Sequence, residues 1–161
     1  TFLLTSRQDA AGIVAQHRRT LTNTIQIVDE FPVREYAELR NNMPGIKLVQ
    51  VIHVRDERAV DRAAAVAKYV DAILLDSGNP ALATKELGGT GRVHDWSISR
   101  TIRERVEVPV YLAGGLNSEN VAEAIRTVSP FAVDVCSGVR TNGKLDERKL
   151  SAFVGEVNRV H

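Results

Sequence analysis

Apolar positions along the chain fall into two alternating patterns. Short, nearly continuous runs rich in β-branched residues occupy 2–5, 24–28, 47–52, 72–75, 109–113 and 132–135. Continuous runs of this length fit parallel strands covered on both faces. Between them apolar residues recur at three- and four-residue spacing: Ala59, Val60, Ala63, Val66, Ala67 and Val70, then Val121, Ala122, Ile125 and Val128, then Leu150, Phe153, Val154 and Val157. Each stripe predicts an amphipathic helix; Arg58, Asp61, Arg62 and Lys68 stay wet on the first. Helix starts are predicted at Ser6 with Asp9 three residues on, at Asp95 before Trp96, at Asn117-Ser118-Glu119 and at Asp146-Glu147. Asn42 and Pro44-Gly45 break the chain before the third strand.

The result is six strand–helix units over residues 1–161, with no linker, repeat array or low-complexity segment, hence a single domain. Strict alternation predicts an α/β fold whose parallel strands are joined by right-handed crossovers, either doubly wound or closed as a barrel. The units recur at roughly 25 residues, whereas an eight-unit barrel takes about 200 or more. On the barrel reading this chain is two units short.

Composition narrows the partners. With 43% hydrophobic and 25% charged residues the chain is of ordinary globular make-up, not disordered. Twenty-one basic against 20 acidic side chains leave a formal charge of +1, so nucleic acid or an anionic membrane is not expected as partner. Any anion must be captured by local geometry. The single cysteine, Cys136, forms no internal disulfide and no multi-cysteine metal site, which points to a reducing, cytoplasmic setting. As a lone cysteine it is expected to be a small buried hydrophobe. No apolar run approaches the roughly 20 residues of a membrane helix.

In either parallel architecture ligands bind at the carboxyl ends of strands. The fourth strand runs into Asp76, an acid against apolar neighbours that reads either as a proton-holding group or as a turn-former. A long loop follows, with Gly88, Gly89 and Gly91, suited to close backbone approach to a ligand or to a plain flexible connection. Trp96 after it reads as a packing anchor. The fifth strand ends in Gly114-Gly115 ahead of a helix, where exposed N–H groups and the helix dipole favour a phosphate. The sixth ends in Cys136-Ser137-Gly138, with a hydroxyl and another unhindered N–H. Two such turns on consecutive strands match the barrel phosphate site formed by its last two loops. Asp134, inside an apolar strand, needs a partner or a ligand. The histidines, His17, His53, His94 and His161, lack metal-ligand spacing and read as structural or solvent-facing.

Taken together, four ordered segments resemble the phosphoribosylanthranilate isomerase family: Leu74-Leu75-Asp76-Ser77, Gly88-Gly89-Thr90-Gly91 with Asp95-Trp96, Leu112-Ala113-Gly114-Gly115-Leu116-Asn117, and Val133-Asp134-Val135-Cys136-Ser137-Gly138-Val139. The resemblance is strong from about residue 74 to 153 and only architectural over 1–54. It implies a (βα)8 TIM barrel, here about six of its units, and an Amadori rearrangement in tryptophan biosynthesis. It places the general acid at Asp76, substrate contacts at Asp134, Gly88 and Gly89, and the phosphate at Gly114, Gly115, Ser137 and Gly138. The implied partner is a small sugar-phosphate substrate, with no metal or organic cofactor; self-association is left open.

The departures are equally specific. The family's base is a cysteine in a Lys-Ile-Cys-Gly-type first strand, and its second unit carries an arginine for the anthranilate carboxylate; neither segment is in this chain. Thr1 corresponds to the start of the family's third strand. Gln26-Ile27-Val28-Asp29 stands where the family has a Gln-Leu-His-Gly-like sequence, and Cys136 replaces a usual serine. Cys136 as a substitute base lacks an identified activating neighbour. The competing reading is a non-catalytic module that keeps the phosphate turns and has shed the base.

Overall fold

A computed structural model of the chain describes residues 1–77 and 95–160. Strands β1 (Phe2–Thr5), β2 (Thr24–Ile27), β3 (Lys47–His53), β4 (Ala72–Asp76), β5 (Val110–Leu112) and β6 (Ala132–Val133) form one parallel sheet in sequence order. Helices α1 (Ala10–Thr20), α2 (Val33–Asn42), α3 (Arg58–Ala67), α4 (Trp96–Arg105), α5 (Val121–Val128) and α6 (Glu147–Arg159) alternate with them. A doubly wound sheet reverses its strand order at a switch point; this one runs from β1 to β6 without reversal, as a barrel wall does. That decides between the two architectures left open by alternation. Among the described residues β1 and β6 each have one strand neighbour. No described helix is long and apolar enough to cross a membrane.

Two-residue alternation sorts the strand side chains. Ile25, Ile27, Leu48, Ile73, Leu75 and Leu112 go to the helix side and join Ile13, Leu39, Ala63, Ile102 and Phe153 in the main core. Val49, Val51, Ala72, Leu74 and Ala113 form a smaller cluster on the other face, with Val28 and Tyr111 against it. Each large aliphatic buried in this way contributes about 1.5–3 kcal/mol, so the helix side carries most of the stability. On the inner face of β1, Phe2 and Leu4 remain 49% and 60% exposed.

Helix entries partly follow the predicted signals. Asp95 and Asp146 cap α4 and α6, accepting from Ser97 N and from Arg148 and Lys149 N. The start of α1 moves three residues on from Ser6: Asp9 is its cap, its carboxylate accepting from Gly12 N at 2.6 Å. A short hairpin, β7 (Arg140–Thr141) and β8 (Lys144–Leu145), follows a 3-10 turn at Ser137–Val139 and is absent from the predicted elements. Its Asn142-Gly143 corner has φ of 52° and 76°, the two-residue turn that an Asn-Gly pair favours. Trp96 packs on the main core as expected.

Polar cross-links fix the sheet's rims. Gln50 donates from Nε2 to the carbonyl oxygens of Ile27, Asp29 and Val51 at 3.2, 2.9 and 2.9 Å, and its Oε1 accepts from Tyr36 Oη at 2.6 Å. The amide thereby holds the turn from β2 toward α2. Burial pushes the Tyr36 phenol well above its ordinary pKa. At the opposite end Asp71 accepts from Leu48 N at 2.8 Å and pairs with Arg40 at 2.8 Å and Lys47 at 3.2 Å.

Candidate active site

At the carboxyl ends of the strands a cleft of about 160 Å³ is lined by His53, Asp76, Gly114, Gly115, Asp134 and Ser137, among others. Asp76 reaches it by strand alternation, two residues beyond Leu74 on the inner face. The residue is only 8% exposed, and its Oδ1 is buried with no hydrogen-bond partner among the described residues. A buried carboxyl oxygen without a donor is an unmet polar group, and it sets this acid apart from the satisfied carboxylates elsewhere in the chain.

The two glycine turns come together on this rim. Gly114 has φ +86°, and a Cβ there would lie 2.6 Å from Ser77 N and 3.0 Å from Asp76 Oδ1. Glycine is therefore required for the β5 turn to pass against the acid. Gly138 does not line the cleft; a Cβ on it would fall 1.9 Å from the Leu116 carbonyl oxygen, so it lets the second turn lie directly on the first. Among the described residues the N–H groups of Gly115, Ser137 and Gly138 donate to no backbone or side-chain acceptor.

The turn ahead of α5 is tied to itself: Asn117 Oδ1 takes the N–H groups of Glu119 and Asn120 at 2.8 and 3.2 Å, and Asn120 Oδ1 takes that of Asn117 at 2.9 Å. The helix begins at Val121, with Asn120 as its cap and no side-chain hydrogen bond from that cap. Further donors stand on the β5 turn and on the 3-10 turn after β6, where barrel phosphate sites often carry a short extra helix.

Asp134 faces Asp76 electrostatically. Although the residue as a whole is exposed, burial of its carboxyl in the cleft wall, and next the Asp76 charge, push its pKa upward, while the Val135 N–H works the other way. No arginine forms an ion pair with it among the described residues. Cys136, expected to be buried, is exposed at the mouth of the same cleft. Gly88, Gly89, Gly91 and His94 lie outside the described residues. His53, read from the sequence as bland, lines the cleft; its place on the same alternating face as Val49 and Val51 was the available signal.

A larger hollow of about 710 Å³ opens on the helix side, over Phe31, Tyr36 and Val66. Its charged rim is largely self-satisfied: Asp56 binds Arg58 at 2.6 Å, and Arg62 donates to the His53 carbonyl oxygen at 3.3 Å. The smaller cleft is the better candidate, because its donors and its acid are unclaimed.

Against known proteins, the family model for N-(5′-phosphoribosyl)anthranilate (PRA) isomerase matches residues 5–156. The chain belongs to that family. It is 40% identical over 153 residues to N-(5′-phosphoribosyl)anthranilate isomerase 2 of Methanosarcina mazei, covering 94% of this chain and 67% of that relative. It superposes on the phosphoribosyl anthranilate isomerase of Thermotoga maritima with a TM-score of 0.80 at 30% identity, covering 98% of this chain and 72% of that one. A solved isomerase of the family in complex with reduced 1-(o-carboxyphenylamino)-1-deoxyribulose 5-phosphate gives a TM-score of 0.77 at 28% identity, covering 98% and 71%. The chain spans between 60% and 67% of the length of the first curated relatives it matches. Family membership agrees with the unreversed strand order and with the (βα) barrel wall described above.

Proposed function

We propose that this chain carries the acid and the phosphate grip of a phosphoribosylanthranilate isomerase site in tryptophan biosynthesis. The substrate is N-(5′-phosphoribosyl)anthranilate and the product 1-(2-carboxyphenylamino)-1-deoxyribulose 5-phosphate. Asp76, as general acid, gives its proton to the ribose ring oxygen; the C1′–O bond breaks while the nitrogen lone pair forms a C1′=N bond. A general base then removes the C2′ proton, the C–H electrons form C1′=C2′, and the C1′=N pair returns to nitrogen. The enol finally loses its hydroxyl proton and gains one at C1′, giving the aminoketose with no net change in composition. Gly115, Ser137 and Gly138 hold the phosphate through backbone N–H groups and the Ser137 hydroxyl, with Gly114 keeping the turn against the acid. Asp134 contacts the ribose or amine region, and Gly88 and Gly89 the substrate.

The observation that supports this reading most is one cleft whose lining includes a buried acid with an unclaimed oxygen and the unclaimed N–H groups of Gly115 and Ser137, with Gly138 in the adjoining turn. The test is growth of a tryptophan auxotroph lacking the isomerase, carrying this chain alone or this chain extended by the two leading units of a relative, which supply the family's base cysteine. The extended chain is expected to restore growth, and Asp76→Asn to abolish it. Growth unaffected by Asp76→Asn contradicts the assignment of the acid. Tight binding of the phosphorylated aminoketose without turnover in either form supports the non-catalytic module instead.

A further inference from the structure

We infer that Gln26 is a specificity-determining residue whose carboxamide reads the arylamine end of the substrate, an inference that rests on the proposed isomerase reaction. Gln26 sits on the inner face of β2, two residues before Val28, and lines the same small cleft as Asp76. At 9% exposure it is nine-tenths buried. Its register partners are Leu4 and Val49, and Val28, Val51 and Leu74 complete an apolar wall around it. None of these side chains offers an amide a partner, and among the described residues the Gln26 amide makes no hydrogen bond. The amide is not sealed into the core but opens on the cleft.

Gln50, on the neighbouring strand, shows what a structural amide looks like in this fold: both its ends are engaged with protein groups. Leaving a buried amide unpaired is costly. The Gln26 amide therefore points to a group that arrives with the ligand.

Strand order says which end of the ligand that is. β2 stands two strands from β4, on the side away from the β5 and β6 turns that take the phosphate. A substrate with its phosphate on those turns and its ring oxygen at Asp76 carries its aromatic end toward β2. There Leu4, Val28, Val51 and Leu74 give the aryl ring an apolar wall. The arylamine presents an N–H donor beside an ortho carboxylate acceptor, and a carboxamide presents the complement, Oε1 beside Nε2. His53 does not supply this donor, because its Nε2 is spent on the Val28 carbonyl oxygen at 3.0 Å and its Nδ1 is buried. Gln26 holds the unclaimed side-chain N–H on that wall, and a carboxylate taken out of water needs a donor.

The test is binding to this chain of the reduced aminoketose phosphate and of its phenyl counterpart lacking the ring carboxyl. The Gln26 side-chain amide is followed by nuclear magnetic resonance. The native chain should prefer the carboxylated compound, and the Gln26 amide signals should move strongly with it and much less with the phenyl compound. Gln26→Leu should weaken the carboxylated compound by about tenfold, the worth of a hydrogen bond to a charged group, and the phenyl compound far less. Gln26→Glu, of the same shape, should turn the preference toward the phenyl compound through like-charge repulsion. An equal loss for both compounds, the mark of a merely structural amide, overturns the inference; so do Gln26 signals that both compounds leave in place. Binding of neither compound refutes the phosphate grip and the reading beneath the inference. Binding of both with no carboxyl preference at Gln26 refutes the inference alone.

Discussion

At the β2–β3 end of the sheet, both ends of the Gln50 amide are engaged, with three carbonyl oxygens and a phenol gathered around one side chain. At the β4–β6 end, a few strands away on the same rim, Asp76 Oδ1 has no partner and three backbone N–H groups lead nowhere within the described protein. Burial makes an unsatisfied polar group expensive in both places. The first region spends its hydrogen bonds on holding a turn still. The second keeps them for something that comes from outside, and its glycines hold the open groups in place. The contrast separates residues that stabilise from residues that act, and it can be broken by substitution.

The largest effect is expected from Asp76→Asn. A general acid contributes about 10²–10⁴-fold to rate, so kcat of the extended protein should fall by that order while affinity for the product analogue stays within a few-fold. Gln50→Leu should do the reverse. It leaves the Tyr36 hydroxyl and three carbonyl oxygens without their partner, costing about 3 kcal/mol in denaturant unfolding, with little change in phosphate affinity. Gly114→Ala sits between the two: forcing an alanine to φ +86° costs about 1–2 kcal/mol. The displaced Asp76 and Ser77 should make the loss of activity exceed that loss of stability.

Smaller effects sharpen the contrast through pH. Burial tends to raise the Asp71 pKa, but the Leu48 N–H, Arg40 and Lys47 outweigh it and hold the carboxyl below its ordinary value. Its contribution is therefore present above the unfolded-state pKa, near about 3.9, and is lost as pH falls through the folded value. Asp71→Asn should cost about 1–2 kcal/mol at neutral pH and flatten the acid limb of the stability curve. Asp134 behaves oppositely: its raised pKa favours the fold at low pH, and that advantage disappears as pH rises through the folded value. Carboxyl titration should find Asp134 deprotonating after Asp71, and Asp76→Asn should bring it back toward an ordinary aspartate.

Much of this was readable in the residues. Continuous apolar runs marked all six strands because strands of a covered sheet need apolar side chains on both faces. The choice between doubly wound and barrel order was not readable from periodicity, since it depends on which distant strands pair; the family resemblance pointed to the barrel, and the strand order agrees. Ser6 competed with Asp9 as the cap of α1, and only the folded chain shows which side chain reaches Gly12. Gly114 and Gly138 were legible as glycines of strand-end turns, whereas their steric part, contacts with Asp76, Ser77 and Leu116, comes from neighbouring strands and turns. His53 was passed over because it was weighed for metal spacing and not for its strand face. The Asn142-Gly143 hairpin was a local signal left unread.

The most direct test of the central idea, that two adjoining turns grip a phosphate beside Asp76, is an amide titration of this chain with the reduced aminoketose phosphate and its dephosphorylated counterpart. The amide signals of Gly115, Ser137 and Gly138 should move strongly with the phosphorylated compound and hardly at all without the phosphate, while those around Gln50 stay put. Saturable shifts confined to the larger hollow around Phe31 and Arg55, or equal shifts with both compounds, would contradict it.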